Sequence, residues 1–516
     1  MLPQRKSYQL HTMQARYWFI VIATILIVAI ALMASYLWHG AWWLYILIGP
    51  FVLLGIYDMI QAKHAITRNF PVLGHMRYVF EAIRPEMMQY FVENDSDGRP
   101  FHRIYRSMIY QRAKHVNDTA PFGTQMNVYR AGYEWLEHSI YANSASDLEA
   151  DPRILIGGPH CKQPYSSSLL NISAMSFGSL SKNAVMALNL GAKQGNFAHN
   201  TGEGGVSPYH LRHGGDLIWQ VGTGYFGCRS STGGFSEKLF ETAVAAPSIK
   251  MVEIKLSQGA KPGHGGILPA SKNTPEIAAI RGVQPHRDVL SPPTHSAFKD
   301  AEGLMHFVQK LRELSGGKPI GFKLCIGKRQ EFDDLCDAMI STGIQPDFIT
   351  IDGGEGGTGA APVEFSNHLG MPLRDGLTYA DDTLKKKGLR KDIRIICAGK
   401  IVSGFHLARA LALGADGCNS ARAMMMAVGC IQALRCNNNT CPTGVATQNP
   451  ALMRGLNVED KALRAANYHT ATVHSLMELI AAAGLSSPHD LNRSHIQRRV
   501  GQHKVANYGE IYPEVE

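Results

Sequence analysis

A chain of 516 residues that is 45% hydrophobic can hold one barrel-sized domain with further segments around it. Its net charge of +9 allows a membrane surface or an anionic substrate, but no dense Lys/Arg stripe interleaved with aromatics points to nucleic acid. The nine cysteines are odd in number and are not spaced as a disulfide framework, which excludes a disulfide-built scaffold and fits a reducing, cytosolic compartment.

The chain opens with Arg5, Lys6 and Arg16, and residues 1–16 are read as a cytoplasmic N-terminus. Two uncharged runs follow within 17–60, at 17–38 and 41–60, with Asp58 near the end of the second. Each approaches the ~20 apolar residues that cross a bilayer as a helix. A signal peptide has a shorter apolar stretch and no second one behind it, and a buried core hairpin would not be apolar on every face. Lys63, Arg68 and Arg77 follow the second run, and the connector at His39-Gly40 carries no Lys or Arg. The charge bias therefore predicts a multi-pass hairpin in the inner (cytoplasmic) membrane, with both ends and the remaining chain facing the cytoplasm. Trp18, Trp38, Trp42 and Trp43 stand near the span ends, as aromatic belts do.

Residues 61–150 are mixed and basic, broken by Pro71, Pro85, Pro100 and Pro121, and are read as a connecting cap without assignable chemistry. Residues 151–485 carry a strand–loop–helix rhythm. Strands are predicted at 169–173, 251–256, 320–325, 348–352, 393–397 and 417–420, and helices at 182–193, 302–314, 331–341 and 404–413. The alternation implies parallel strands with crossover helices and a strand count close to eight. A TIM (β/α)8 barrel is expected, with a doubly wound open sheet as the alternative; residues 486–516 are read as a tail.

Nearly every strand ends in a glycine-rich loop. They are Ser173–Ser179, Asn200–Gly205, Lys255–Gly266, Asp352–Pro362, Ala398–Lys400 and Asn419–Arg422. In a closed barrel such loops converge on one face, and a phosphate commonly binds after strands seven and eight, near a helix N-terminus. Lys255, Gln258 and Lys261 on one strand end could hold an anionic cofactor and a carboxylate; a solvated lysine pair is the bland alternative. Cys430, Cys436 and Cys441 have C-x5-C-x4-C spacing with Pro442 behind them. That is not a zinc ribbon, and it suggests a metal centre, with structural free thiols as the alternative.

The ordered segments SAMSFGS (173–179), NTGEGG (200–205), GAKPGHGG (259–266), LSPP (290–293), DGGEGGTGA (352–360) and the stretch from Cys430 to CPTGVATQ at 441–448 resemble the FMN-binding domain of glutamate synthases. The hairpin resembles a short, membrane-attached branch of that family. The resemblance implies a flavin barrel holding FMN, with Met175, Ser176 and Gly178 along the isoalloxazine or ribityl chain. It places Lys255 and Asp352 near the flavin and Gly353, Gly354, Gly399, Ser420 and Ala421 at its phosphate. Gln258, Lys261 and Ser291 would hold a 2-oxoglutarate-like substrate, and Glu203 would end an ammonia path. Cys430, Cys436 and Cys441 would ligate a [3Fe–4S] cluster. The implied reaction reduces an imine of 2-oxoglutarate to glutamate with electrons from an external donor.

Three features depart from the better-known members. No glutaminase domain and no dinucleotide fingerprint are found, so a separate glutaminase or ammonia source is expected. His264 stands in place of a Glu and Ile267 in place of a Gln. The alternative is therefore another membrane-linked FMN/Fe–S oxidoreductase on the same barrel, forming an N-alkylglutamate or coupled to quinone.

Overall fold

The computed structural model describes residues 6–116 and 119–514, with side chains from residue 15 onward. Arg5 lies outside the described residues. The chain forms two compact units that divide between Asn94 and Asp95. Residues 61–94 therefore belong with the apolar helices, and residues from 95 onward belong with the barrel.

Eight parallel strands close the barrel: β1 (Leu170–Ile172), β2 (His199–Asn200), β3 (Leu217–Val221), β4 (Ile249–Lys255), β5 (Ile320–Leu324), β6 (Phe348–Asp352), β7 (Arg394–Ala398) and β8 (Gly417–Ser420). Closure is made by β8 on β1, with Cys418 opposite Leu170, Asn419 opposite Asn171 and Ser420 opposite Ile172. That pairing excludes the open sheet. The long strands read as apolar runs because helices cover their outer face while side chains fill the inner one. β2 and β3 are absent from the sequence reading: β2 has only two residues, and β3 sits between glycine loops where no period can build up.

Several of the covering helices begin where a side chain can accept from a first-turn N–H group. Ser181 caps Lys182–Gln194, Asp300 caps Ala301–Leu314 and Ser403 caps Gly404–Ala412. The helix Arg329–Thr342 ends on Gly343, whose φ of +66° suits a residue without Cβ. A 25-residue helix, Val458–Ala482, packs against Lys182–Gln194 and Arg103–Ala113. It braces the barrel beside its closure.

The barrel interior carries one fully paired carboxylate. Glu253 on β4 accepts from Asn200 at 2.8 Å, Gln220 at 2.6 Å and Thr350 at 2.7 Å. Three neutral donors from three strands thus satisfy a buried acid.

In the first unit, Lys6–Tyr36 and Leu44–Ile60 are helices joined through a turn at His39–Trp43. Ala15–Tyr36 and His39–Ile60 are each long and apolar enough to cross a membrane, with mean hydropathies of 2.7 and 1.8. They pack closely at Gly55, where a Cβ would stand 2.0 Å from the Phe19 ring. The Tyr45 hydroxyl donates to Ile27 O at 2.7 Å and fixes their register.

Candidate active site

Two clefts open at the C-terminal ends of the strands and share Gln258 in their walls. The larger encloses about 550 Å³ of atom-free space. Its floor is Lys323 and Asp352, with Nζ and Oδ2 3.2 Å apart. The same Asp352 oxygen accepts from Gly259 N at 3.0 Å, so the ion pair ties the loop after β4 to β5 and β6. Burial would lower the Lys323 pKa, but Asp352 and then Glu253 outweigh it and raise the pKa above the usual lysine value. Lys323 is a permanent cation under the cleft.

The far end of this cleft lies after β7 and β8, where Lys400, Asn419, Ser420, Ala421 and Arg422 meet. Burial, then Arg422 and Arg99, push the Lys400 pKa down. Glu355 offsets this only in part, and a bound anion would relieve the remaining repulsion between the cations. The Asn419 Oδ1 is buried without a partner. Phe101 caps this end, with its ring centroid 4.8 Å from the Arg422 guanidinium and 5.9 Å from Lys400 Nζ.

The smaller cleft encloses about 270 Å³, lined by Glu203, Thr223, Lys255, Gln258, His264 and Pro292 among others. Lys255 Nζ meets Glu203 Oε1 at 3.0 Å. Room for this carboxylate is made by Gly266, where a Cβ would stand 2.1 Å from Glu203 Oε1. Burial opposes ionisation of Glu203, but Lys255 overrides it, helped by Arg281 and Lys261, and holds the carboxyl below the usual range. His295 backs the pair: one ring nitrogen lies 2.9 Å from Lys255 O and the other 3.1 Å from the Tyr225 hydroxyl. Burial lowers its pKa to about 4, so it is neutral and acts by position.

Lys261 is buried, and its pKa falls to about 8 through burial, partly offset by Glu203. It loses its charge as pH rises through that value. If Lys261 holds a substrate carboxylate, KM should rise roughly tenfold per pH unit above about 8 while kcat changes less. Steady-state kinetics from pH 6.5 to 9.5 check this, and a flat KM across that range refutes the role.

The cysteine loop follows β8 and the helix Arg422–Ala427. Its turns use left-handed backbone at Gln432, Leu434 and Asn439. Burial pushes the Cys430 thiol up to about 12. Burial acts the same way on Cys441, but N–H groups of Ala446, Thr443 and Val445 and the Thr443 hydroxyl win and lower its pKa. The buried Lys272 ammonium donates to Ser179 O and Ala446 O and feels both Cys436 and Cys441. Among the described residues, no group of three or more His, Cys, Asp or Glu is gathered to hold a single metal ion. The segment that caps the cleft also grips this loop. Phe101 N donates to Gln432 Oε1 and Gln432 Nε2 donates to Phe101 O, both at 3.2 Å, and the Tyr110 hydroxyl donates to Cys430 O at 2.9 Å.

A family model described as the conserved region in glutamate synthase matches residues 119–486. The chain belongs to the glutamate synthase family. The glutamate synthase large subunit-like protein YerD of Bacillus subtilis is 39% identical over 495 residues, covering 89% of this chain and 94% of that protein. The archaeal glutamate synthase (NADPH) of Methanocaldococcus jannaschii is 36% identical over 332 residues, covering 63% of this chain and 61% of that enzyme. The chain thus spans most of YerD but only about three fifths of the archaeal enzyme. A solved flavin-binding domain of baker's yeast flavocytochrome b2 aligns at 12% identity with a TM-score of 0.43, over 80% of this chain and 85% of that one. Family membership makes this an oxidoreductase acting on CH–NH2 groups and supports FMN as its cofactor.

The expected site residues separate in space. Asp352, Gly399, Ser420 and Ala421 line the larger cleft, Lys255 and Glu203 the smaller, and Gln258 both. Lys261 is buried near Lys255 and Glu203 without lining either cleft. Ser291 sits behind Pro292 and Pro293, its N–H spent on Gly266 O at 2.9 Å.

Two sets of expected residues are not among the lining of the larger cleft. Gly353 N donates to Ala398 O at 2.7 Å and Gly354 N to Met371 O at 2.8 Å, so neither N–H is free for a phosphate. Gly356 and Gly357 face the cleft instead. Ser173 and Ala174 form the first wall, while Met175, Ser176 and Gly178 are not among its residues. Met175 and Ser176 pack against Gly202, where a Cβ would stand 2.6 Å from Ser176 N. Lys323, Phe101, Arg281 and His295 are absent from the sequence reading. Only Lys323 left a signal there, as a charge within the apolar run Ile320–Cys325.

Proposed function

We propose that this family member reduces an imine of 2-oxoglutarate to glutamate in the smaller cleft, taking electrons from an external donor. The contact of the two clefts at Gln258 carries this reading. FMN fits the larger cleft by the chemistry of its walls: Lys323 as a cation for the ring, Lys400 and Arg422 for a phosphate, and the unpartnered Asn419 Oδ1 as an acceptor for a ribityl hydroxyl. The Cys430, Cys436 and Cys441 thiols are the donor set a [3Fe–4S] cluster would take: Cys430 feels the charge of the other two, and the Lys272 cation stands by Cys436 and Cys441. When bound, these groups supply hydride and single electrons respectively.

The chain's own residues do the rest. Lys261 and Gln258 bind the substrate carboxylates, and Lys255 neutralises charge beside Glu203. Glu203, held ionised, can accept a proton from an incoming ammonium or amine. Lys272 balances thiolate charge at the cysteine loop. Ammonia would come from a separate glutaminase or another source. The two long apolar helices support residence in the cytoplasmic membrane, with the barrel on the cytoplasmic side.

A second reading, an N-alkylglutamate-forming or quinone-coupled enzyme, is favoured by His264. This ring lines the smaller cleft, lies edge-on to Phe365 at 5.5 Å and could receive a larger amine. Anaerobic photoreduction followed by 2-oxoglutarate with ammonia should reoxidise the flavin and yield glutamate. A competent flavin that stays reduced with ammonia but reoxidises with methylamine selects the second reading; one that ignores both removes this reaction class.

A further inference from the structure

Residues 76–91 carry an apolar stripe at Met76, Val79, Phe80, Ile83, Met87, Tyr90 and Phe91. The spacing of i, i+3, i+4, i+7 and i+11 makes one face of the helix His75–Met87, which continues into the turn Met88–Val92. Such a face is ordinarily covered by protein. Here no residue of the helix is buried, with Phe80 59% and Phe91 77% exposed. The other faces are polar: Arg77 pairs with Glu81 at 3.9 Å, and the Tyr78 hydroxyl reaches His64 Nδ1 at 3.4 Å.

The start of this helix is fixed to the end of the second apolar helix. Asp58, in the last turn of Leu44–Ile60, is buried and accepts from Val72 N at 2.9 Å and meets the His75 ring at 2.8 Å. At 1.5 Å per residue, the helix Leu44–Ile60 measures about 26 Å, and the turn His39–Trp43 before it brings the apolar segment close to the ~30 Å hydrocarbon core. Asp58 and His75 therefore stand at the boundary between hydrocarbon and headgroups. A 13-residue helix leaving that level is too short to span and exposes a full apolar stripe to whatever lies there.

We propose that the helix His75–Met87 lies in the plane of the bilayer surface, with Met76, Val79, Phe80, Ile83 and Met87 in the acyl boundary and Arg77 and Arg84 among the headgroups. This inference rests on the hairpin spanning the membrane. It adds a third membrane contact, which fixes the height and tilt of the segment that leads into the barrel unit.

The test uses the full chain in vesicles of phosphatidylcholine with one third phosphatidylglycerol. The photoreactive residue p-benzoylphenylalanine replaces Phe80, Ile83 or, on the polar face, Glu81, and adducts are identified by mass spectrometry. Lipid adducts at 80 and 83, several-fold above those at 81, are expected. Adducts to the barrel or to a second copy, or none at 80 and 83, overturn the inference. Alkaline carbonate extraction of the same vesicles reads the hairpin separately. A chain that resists extraction but lacks lipid adducts refutes only the surface helix. A chain released by carbonate refutes the anchor and with it the inference, whatever the adducts.

Discussion

Lys323→Met should destabilise the barrel by ~3–5 kcal/mol and strip it of flavin. The substitution preserves the length of the side chain but leaves Asp352 buried with the Gly259 N–H and the Arg422 charge in place of its ion-pair partner. Lys323 also feels the charge of Glu253, so two buried carboxylates lose the cation nearest them. Removing one partner of a buried pair costs far more than removing both, because the cost lies in the charge left behind. The double variant Lys323→Met/Asp352→Asn should therefore regain most of the lost stability while still binding FMN poorly, since the cation under the cleft is missing. Thermal unfolding and flavin content of the purified proteins check both halves. A single variant that melts with the wild type refutes the structural role; a double variant that holds FMN normally refutes the cofactor role.

The second large effect concerns the smaller cleft. Lys255→Met should lower kcat by about 10²–10³ while leaving flavin content and fold intact. Lys255 is the main influence holding Glu203 ionised against burial, and without it the Glu203 pKa should rise. A base that is protonated at neutral pH becomes active only as pH increases, so the residual activity should climb with pH where the wild-type rate is level. Arg281 and Lys261 remain nearby, which keeps Glu203 from becoming a buried charge without any cation. Equal pH profiles in variant and wild type would mean that Lys255 does not set the state of Glu203.

Much of the barrel was legible because β5, β6 and β7 are buried on both faces and so write themselves as mostly apolar runs. β2 could not be read, since two residues have no periodicity. The convergence of loops followed from topology once the strands alternated with helices. What the glycines do was less legible. A glycine-rich loop marks close approach, but not to what: Gly353 approaches Leu373 and Glu355, with Cβ positions at 2.5 and 2.2 Å from them. Counting glycines cannot show which N–H groups are already spent. The same holds for Ser173 and Ala174, which face the cleft only because the chain turns immediately after β1. Phe101 was invisible for another reason. Its partners Lys400, Arg422 and Gln432 lie some three hundred residues away, and a lone phenylalanine before a helix carries no local signature.

The grip of Phe101 on Gln432 bears on where the chain should be cut to remove its two apolar helices. Composition alone invites a truncation near residue 150, where the barrel pattern begins. That cut would discard the ring over Lys400 and Arg422, the paired hydrogen bonds to Gln432 and the Tyr110 bond to Cys430. A protein trimmed there would uncover the cysteine loop and one end of the larger cleft and bind flavin poorly, and the loss could be mistaken for inactivity of the enzyme itself. Trimming just ahead of Asp95 removes both apolar helices while leaving the clasp in place.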